Sequence, residues 1–237
     1  MRKNIFLLAV LGLFTAVSAV ETAYYSFNET ALANGTAAKG KIVRGSDVTD
    51  ETMLTQGIDG KAILIGNSSN KTDKQTIEFI PATPISGKEG AVSFWVRNND
   101  WKPADSKNFH HFFSAFSARE RLIVYKYIEH SNLIFFLGNL NDAQKNKSVQ
   151  GSIKDWQIGS WHNVCVSWNA EKMALYLDGK LLAESPRKDN SSDFTKFQLG
   201  EYWAGNPGST SIDELRIFNN FLSLEDVQAE YSKYSAK

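Results

Sequence analysis

The sequence predicts an all-β protein, two antiparallel sheets stacked as a sandwich, with one short helix at the C-terminus. Three observations carry this expectation. Short strand-like runs recur between Gly-, Asn- and Asp-rich turns along most of the chain. Residues 91–97 alternate cleanly, Val92, Phe94 and Val96 falling on one face and Ser93, Trp95 and Arg97 on the other. Residues 163–184 read as a three-stranded meander whose second connection, Asp178-Gly179, suits a type I′ turn with positive φ at both central positions.

Taken in order, strands are expected at 24–27, 62–65, 76–80, 91–97, 109–117, 121–129, 132–138 and, more weakly, 148–153. In the meander, Val164, Val166 and Trp168 share one face of the first strand, opposite Asn163, Cys165 and Ser167. Residues 173–177 return antiparallel, and 180–184 form the third strand. Trp95, Trp161 and Trp168 lie in strand patterns and are expected in the core. Past the last strand the period changes. Ser223 with Asp226 three residues on has the form of a capping box, and Leu224, Val227 and Tyr231 follow at helical spacing, so a helix is expected from 224 to about 232.

Residues 1–19 are expected to be a secretory signal peptide rather than part of the fold. Arg2 and Lys3 precede an apolar run from Ile5 to Val17, and Val17-Ser18-Ala19 supplies small residues for cleavage after Ala19. No later segment is apolar for long enough to span a bilayer, so the mature chain, 20–237, is expected to be one domain without a transmembrane segment, secreted or periplasmic. Without Arg2 and Lys3, 24 basic side chains face 26 acidic ones. That balance offers no basic stripe for a nucleic acid. The single cysteine, Cys165, has no partner for an internal disulfide and reads as a buried thiol. Six Asn-x-Ser/Thr sequons begin at Asn28, Asn34, Asn67, Asn70, Asn146 and Asn190.

The run Trp161-His162-Asn163-Val164-Cys165-Val166-Ser167-Trp168, followed by Leu175-Tyr176-Leu177-Asp178-Gly179-Lys180-Leu181, resembles the laminin-G-like, concanavalin A-like jelly-roll domain. The closing Ile212-Asp213-Glu214-Leu215-Arg216-Ile217-Phe218 and the Leu222–Val227 stretch resemble that family's last strand and helix. Gly57-Ile58-Asp59-Gly60-Lys61-Ala62 and Ser93-Phe94-Trp95-Val96 are weaker matches in the right order. The resemblance implies a two-sheet jelly roll over nearly the whole mature chain, on a fold that hosts many roles. It also implies a structural calcium, with Asp213 as a carboxylate ligand and Asn28 or Glu29 as a second. One departure is plain: relatives often read Phe-Asp-Glu with an Asp-rich loop, whereas here Phe27-Asn28-Glu29 precedes a loop, 30–40, without Asp.

No catalytic constellation is present. The Glu-x-Asp-x-x-Glu spacing that sets acid beside nucleophile on one strand is absent, as are Gly-x-Ser-x-Gly and His-Glu-x-x-His. His110 and His111 are adjacent, so in a strand they point to opposite faces and cannot chelate one ion together. The candidate ligand-binding residues are instead large rings in loop-like sequence: Trp101, Trp156, and Tyr202-Trp203 before a Gly/Pro/Asn-rich stretch. Such rings either stack on sugars or cap the sandwich ends as satellite hydrophobic clusters. The expected function is a non-catalytic binding module for a polysaccharide or glycan. The alternative is an extracellular protein-recognition or structural adhesion domain without a sugar site.

Overall fold

The structure is a computed structural model that describes residues 20–29, 40–44 (backbone), 53–66, 76–128, 130–139, 147–187, 191–200 and 208–236. Residues 1–19, Tyr202, Trp203 and the sequons other than Asn28 lie outside the described residues. Among the described residues, fifteen strands and one helix follow in chain order: β1 Glu21–Tyr25, β2 Gly40–Arg44, β3 Leu54–Gln56, β4 Lys61–Ile65, β5 Thr76–Phe79, β6 Gly90–Asn98, β7 His110–Phe116, β8 Arg121–Lys126, β9 Asn132–Gly138, β10 Lys147–Ser152, β11 Trp161–Trp168, β12 Lys172–Leu177, β13 Lys180–Pro186, β14 Lys196–Leu199, β15 Thr210–Phe218 and α1 Leu224–Ser232.

The strands form two antiparallel sheets. One is ordered β13-β12-β11-β6-β15-β4-β3, with β1 also paired to β15; the other is ordered β10-β9-β8-β7-β14-β5-β2. The core lies between them because each strand turns alternate side chains inward. Val92, Phe94 and Val96 of β6 and Val164, Val166 and Trp168 of β11 meet Phe113, Val124, Phe135 and Phe197 of the second sheet. Aromatic pairs fix part of this contact: Phe79 stacks on Phe197 at 4.9 Å, and Tyr25 meets both edge-on. β2, β3 and β14 carried no strand signal in the sequence reading. They are strands because the fold brings a pairing partner beside each: β5 for β2, β4 for β3, and β5 and β7 for β14.

The outer face of the first sheet is covered by the helix. Ser223 accepts from the Asp226 N–H while the Asp226 carboxylate accepts from the Ser223 N–H, the reciprocal pair expected. Val227 packs with Ala91, Cys165, Ala174, Tyr176, Phe218 and Leu222 in a second small core. Trp95 stacks on Tyr231 at 5.6 Å there, and Cys165 is buried, its thiol pKa pushed up by desolvation. Trp168 is fully buried, whereas Trp161 is half-buried under the Arg97 guanidinium, 4.8 Å from its ring. Asp178 and Gly179 both take positive φ, 50° and 73°, as the turn reading required. Among the described residues no helix is long and apolar enough to cross a membrane.

Candidate functional site

The antiparallel registers place the connections at two ends of the sandwich. Among the described residues, 99–109, 127–128, 130–131, 153–160, 200 and 208–209 lie at one end; 80–89, 117–120, 169–171, 187 and 191–195 lie at the other.

At the first end, the polar run after β6 is laced to the start of β15. Asn98 Nδ2 donates to the Trp101 carbonyl at 2.7 Å, and Asn99 Nδ2 donates to the Ser209 and Ser211 hydroxyls at 3.0 Å. The Ser209 N–H donates to Asp100 Oδ1 at 2.8 Å, and Trp101 Nε1 donates to Thr210 Oγ1 at 3.0 Å. Trp101 is therefore fixed by both its backbone and its ring nitrogen. Its ring lies on the His110 imidazole, 3.6 Å between centroids at 15°. His110 Nε2 is 2.6 Å from Ser106 Oγ. Burial, the Lys126 charge and His111 hold the His110 pKa well below its usual value, so the ring is neutral at physiological pH. Burial likewise lowers His111, to about 4.

Lys126 ends β8 on the inward face, in step with Leu122 and Val124, and is fully buried. Its ammonium reaches the carbonyl oxygens of Ser106, Asn108 and Ile128, the latter two at 3.5 and 3.4 Å. Desolvation lowers its pKa to about 8. Lys126 thus holds the 102–108 loop from below. Above this loop opens a depression of about 580 Å³ lined by Asp100, Trp101, Lys102, Ser106, Asn108 and Ile158, among others. Sequence reasoning passed over Lys126, His110 and Ser106 as site residues. The parity of Leu122, Val124 and Lys126 is the signal that could have found the lysine.

The expected loop rings are placed as follows. Trp101 and Trp156 are buried, 6% and 3% exposed, so most of each ring serves to close this end of the core, the second of the two roles open to them. Trp156 lies flat on His162 at 4.5 Å and 5°, and touches Phe112, which in turn stacks with Trp101. The two tryptophans belong to one aromatic cluster beneath this end. The reason is geometric: loops that close a sandwich must cover the open end of its core, and the largest rings do so with least exposed area. Tyr202 and Trp203 lie outside the described residues, but the flanking Gly208 lines the depression.

The two candidate calcium ligands converge elsewhere, on the turn before β4. Asp213, fully buried in β15, accepts N–H groups of Ile58 (2.9 Å) and Asp59 (3.3 Å) on Oδ2 and of Glu214 (2.8 Å) on Oδ1. Asn28 Oδ1 accepts the Lys61 N–H at 2.8 Å. Gly57 and Gly60 give the close approach, since a Cβ at either would stand 2.4 Å from Asp213 Oδ2 or 2.1 Å from Asn28 Oδ1. Burial raises the Asp213 pKa to about 7 against the lowering effect of those N–H groups. Calcium asks for six to eight oxygen ligands. Here N–H donors point at the oxygens that would coordinate it, and no group of three or more His, Cys, Asp or Glu gathers among the described residues. The described residues do not fit a calcium ion; they clamp a turn.

Comparison with known proteins agrees with this architecture. Residues 68–228 match the Laminin_G_3 family model, described as the concanavalin A-like lectin/glucanases superfamily. The chain belongs to this superfamily. Among curated proteins, none matches it. Solved structures similar to it include the receptor-binding domain of botulinum neurotoxin C/D mosaic serotype (TM-score 0.70, 16% identity, covering 90% of this chain and 51% of that one). The binding domain of botulinum neurotoxin serotype G is also similar (TM-score 0.68, 18% identity, 92% of this chain and 52% of that one). This concanavalin A-like chain spans about half the length of those domains, and at such identity the likeness shows the fold alone. The superfamily's description names both lectins and glucanases, so membership does not decide between binding and catalysis.

Proposed function

We propose that this chain is a secreted or periplasmic, non-catalytic binding module for a polysaccharide or glycan, with its contacts in the depression beside Trp101. The observation that carries the reading is the depression itself: an open hollow of about 580 Å³ at the loop end of a lectin-type sandwich. An apolar floor with convergent polar groups is the general form of a small-ligand site. Here Trp101 and Ile158 supply the apolar part, and Asp100, Asp105, Ser106 and Asn108 supply acceptors and donors for hydroxyls. Tyr202 and Trp203 are proposed as further contacts, carried on the segment that leads into Gly208.

The non-catalytic part rests on chemistry. Ser106 and His110 form the one Ser–His contact of this depression, but His110 Nδ1 has no partner among the described residues. A nucleophile–base pair needs a third group to orient the base. Kinship in fold with receptor-binding domains supports a binding role without naming the ligand.

The test is affinity electrophoresis of residues 20–237 through gels holding soluble polysaccharides, with the exposed rim variants Asp105→Ala and Lys107→Ala alongside. Retardation by one polymer, lost in the rim variants, is the expected result. Retardation by none overturns the reading. N-terminal sequencing of the exported protein checks the leader, with a start at Val20 expected.

A further inference from the structure

β8 turns Leu122, Val124 and Lys126 to the core, and the third of these is charged. The Lys126 ammonium meets no carboxylate among the described residues. Its partners are three carbonyl oxygens, those of Ser106 and Asn108 in the 102–108 loop and of Ile128 in the connection after β8. An ammonium has three donors, so each carbonyl answers one of them. The register sets His110 of β7 on one side of Lys126 and Leu133 of β9 on the other.

The loop that supplies two of these carbonyls has few other ties. The Asp105 and Ser106 N–H groups both donate to the Lys102 carbonyl, which closes the loop on itself. Beyond that, among the described residues, 103–108 is joined to the rest of the fold by the hydrogen bonds from Lys126 and by the contact of Ser106 Oγ with His110 Nε2. The segment also stands between two hollows. One is the depression of about 580 Å³; the other, of about 410 Å³, is lined by Pro103, Ala104, Ser106, Lys107 and Ile128. Ser106 and Lys107 border both, so 103–108 forms a ridge. A ridge with open space on its flanks gains little lateral packing, and its place is fixed from beneath.

This ridge carries Asp105, Ser106, Lys107 and Asn108, four polar side chains of the depression. Groups that bind a ligand must be held to within about 0.5 Å of their working positions by supporting side chains.

We infer that Lys126 is the positioning residue of the depression: reaching from beneath, its ammonium holds the 103–108 ridge in the arrangement that a ligand meets, and ligand affinity depends on it although it touches no ligand. The inference rests on the binding reading of the depression and deepens it by naming what keeps the site in shape.

Hydrogen–deuterium exchange of residues 20–237 reads the ridge without a ligand. In Lys126→Met, segment 102–109 is expected to exchange about ten-fold faster or more, the loss of charge-assisted hydrogen bonds, while β11 and β12 stay protected over the same short labelling times. The wild type gives a second reading. Opening of the ridge lets water reach the ammonium and raises its pKa from about 8 towards the ordinary 10.5, so the open form binds more protons between these values. Protection of 102–109, corrected for the intrinsic rate, should therefore rise from pH 8 to 9.5 in the wild type and stay flat in Lys126→Met. His110 and His111 are neutral throughout this window. Lys102, Asp105 and Lys107 on the loop, and Tyr127 and His130 after β8, are common to both proteins.

The gels of the preceding test then read function. A polymer that retards the wild type should bind Lys126→Met about ten-fold more weakly and Arg187→Lys, altered at the opposite end, with wild-type affinity. Wild-type exchange of 102–109 in Lys126→Met overturns the inference, as does undiminished polymer affinity or a loss matched by Arg187→Lys. Should Lys126→Met fail to fold, the wild-type pH series decides, and flat protection overturns the inference. Retardation of the wild type by no polymer overturns the carbohydrate reading alone, and the exchange measurements then decide this one by themselves.

Discussion

The two ends of the sandwich solve one problem with different cations. Each end must satisfy loop carbonyls that close over an apolar core. At the end that holds 80–89, 169–171, 187 and 191–195, Arg187 is buried and its fork donates to the carbonyls of Gly87 (2.7 Å), Lys88 (3.0 Å) and Asn169 (3.2 Å) and to Ser191 Oγ. Gly87 allows the loops to touch, since a Cβ there would stand 2.2 Å from the Ser191 carbonyl oxygen. Trp168 Nε1 donates to the Ser86 carbonyl, and the Ser192 N–H reaches Glu120. At the opposite end the cation is Lys126, a point charge on a flexible stem that gathers carbonyls from one loop and its neighbour but does not close the gap between loops. A planar fork with several fixed donors ties three loops together; the ammonium ties two, the 102–108 loop and the connection after β8, with the larger hollow beside it. The difference is one of degree: the end held by lysine keeps a hollow of about 580 Å³, and the end tied by arginine a smaller one of about 340 Å³ beside Lys88, Asn169 and Glu171.

The most severe break should come from Trp101→Ala. Removing a ring that bridges Thr210 and His110 is expected to cost about 3–5 kcal/mol in urea unfolding, which would show the lysine end to be as firmly anchored as the arginine end. A loss below about 1 kcal/mol would mean that the ring is not structural and would return it to the ligand. Arg187→Lys comes next. It keeps the charge but loses the fork, and about 2–3 kcal/mol of destabilisation is expected. Equal stability of wild type and variant would remove the distinction between the two cations.

Lys126→Met sharpens the same comparison. It leaves three carbonyls without their donor and should cost about 1–3 kcal/mol at neutral pH. The pH dependence gives a separate signature. Folding lowers the Lys126 pKa from 10.5 to about 8, so between these values the unfolded chain binds more protons, and stability should rise with pH through that window. Half-buried Tyr24 and buried Tyr25, whose pKa values folding raises, pull the other way near pH 10, so the comparison is best made from pH 8 to 9.5 as wild type minus variant. A difference that stays flat with pH would deny the lysine its desolvated state. The smallest effect is expected at the turn on the lysine end. Gly179 has φ 73°, and a Cβ there would stand 2.9 Å from the Tyr231 ring, so Gly179→Ala should lower stability by about 1–2 kcal/mol and loosen the docking of α1.

Much of the fold was legible because β6, β11 and β12 are long enough for alternation to appear, and because Asp178-Gly179 and Ser223-x-x-Asp226 are local chemical devices that act the same way in any context. β14 was not legible. Its four residues become a strand only because β7 and β5 lie on either side to pair with it. The site was legible only in outline. Trp101 and Trp156 are legible as loop residues, but composition alone says neither that they share one end nor whether a loop ring faces water or closes a core. Asp213 and Asn28 show the same limit, since an oxygen that could bind a cation is equally suited to a backbone N–H, and the choice depends on which approaches.

By itself, then, the chain determined its strands of sufficient length, its turns, its helix cap and its superfamily, because these depend on period and on contacts a few residues apart. Tertiary structure decided the rest: the larger and smaller hollows at the two ends, the inward Lys126 and the clamp on the turn at 57–61. Those depend on which segments, distant in sequence, come within hydrogen-bonding or ring-stacking distance, and burial then selects among the roles that each side chain's chemistry allows.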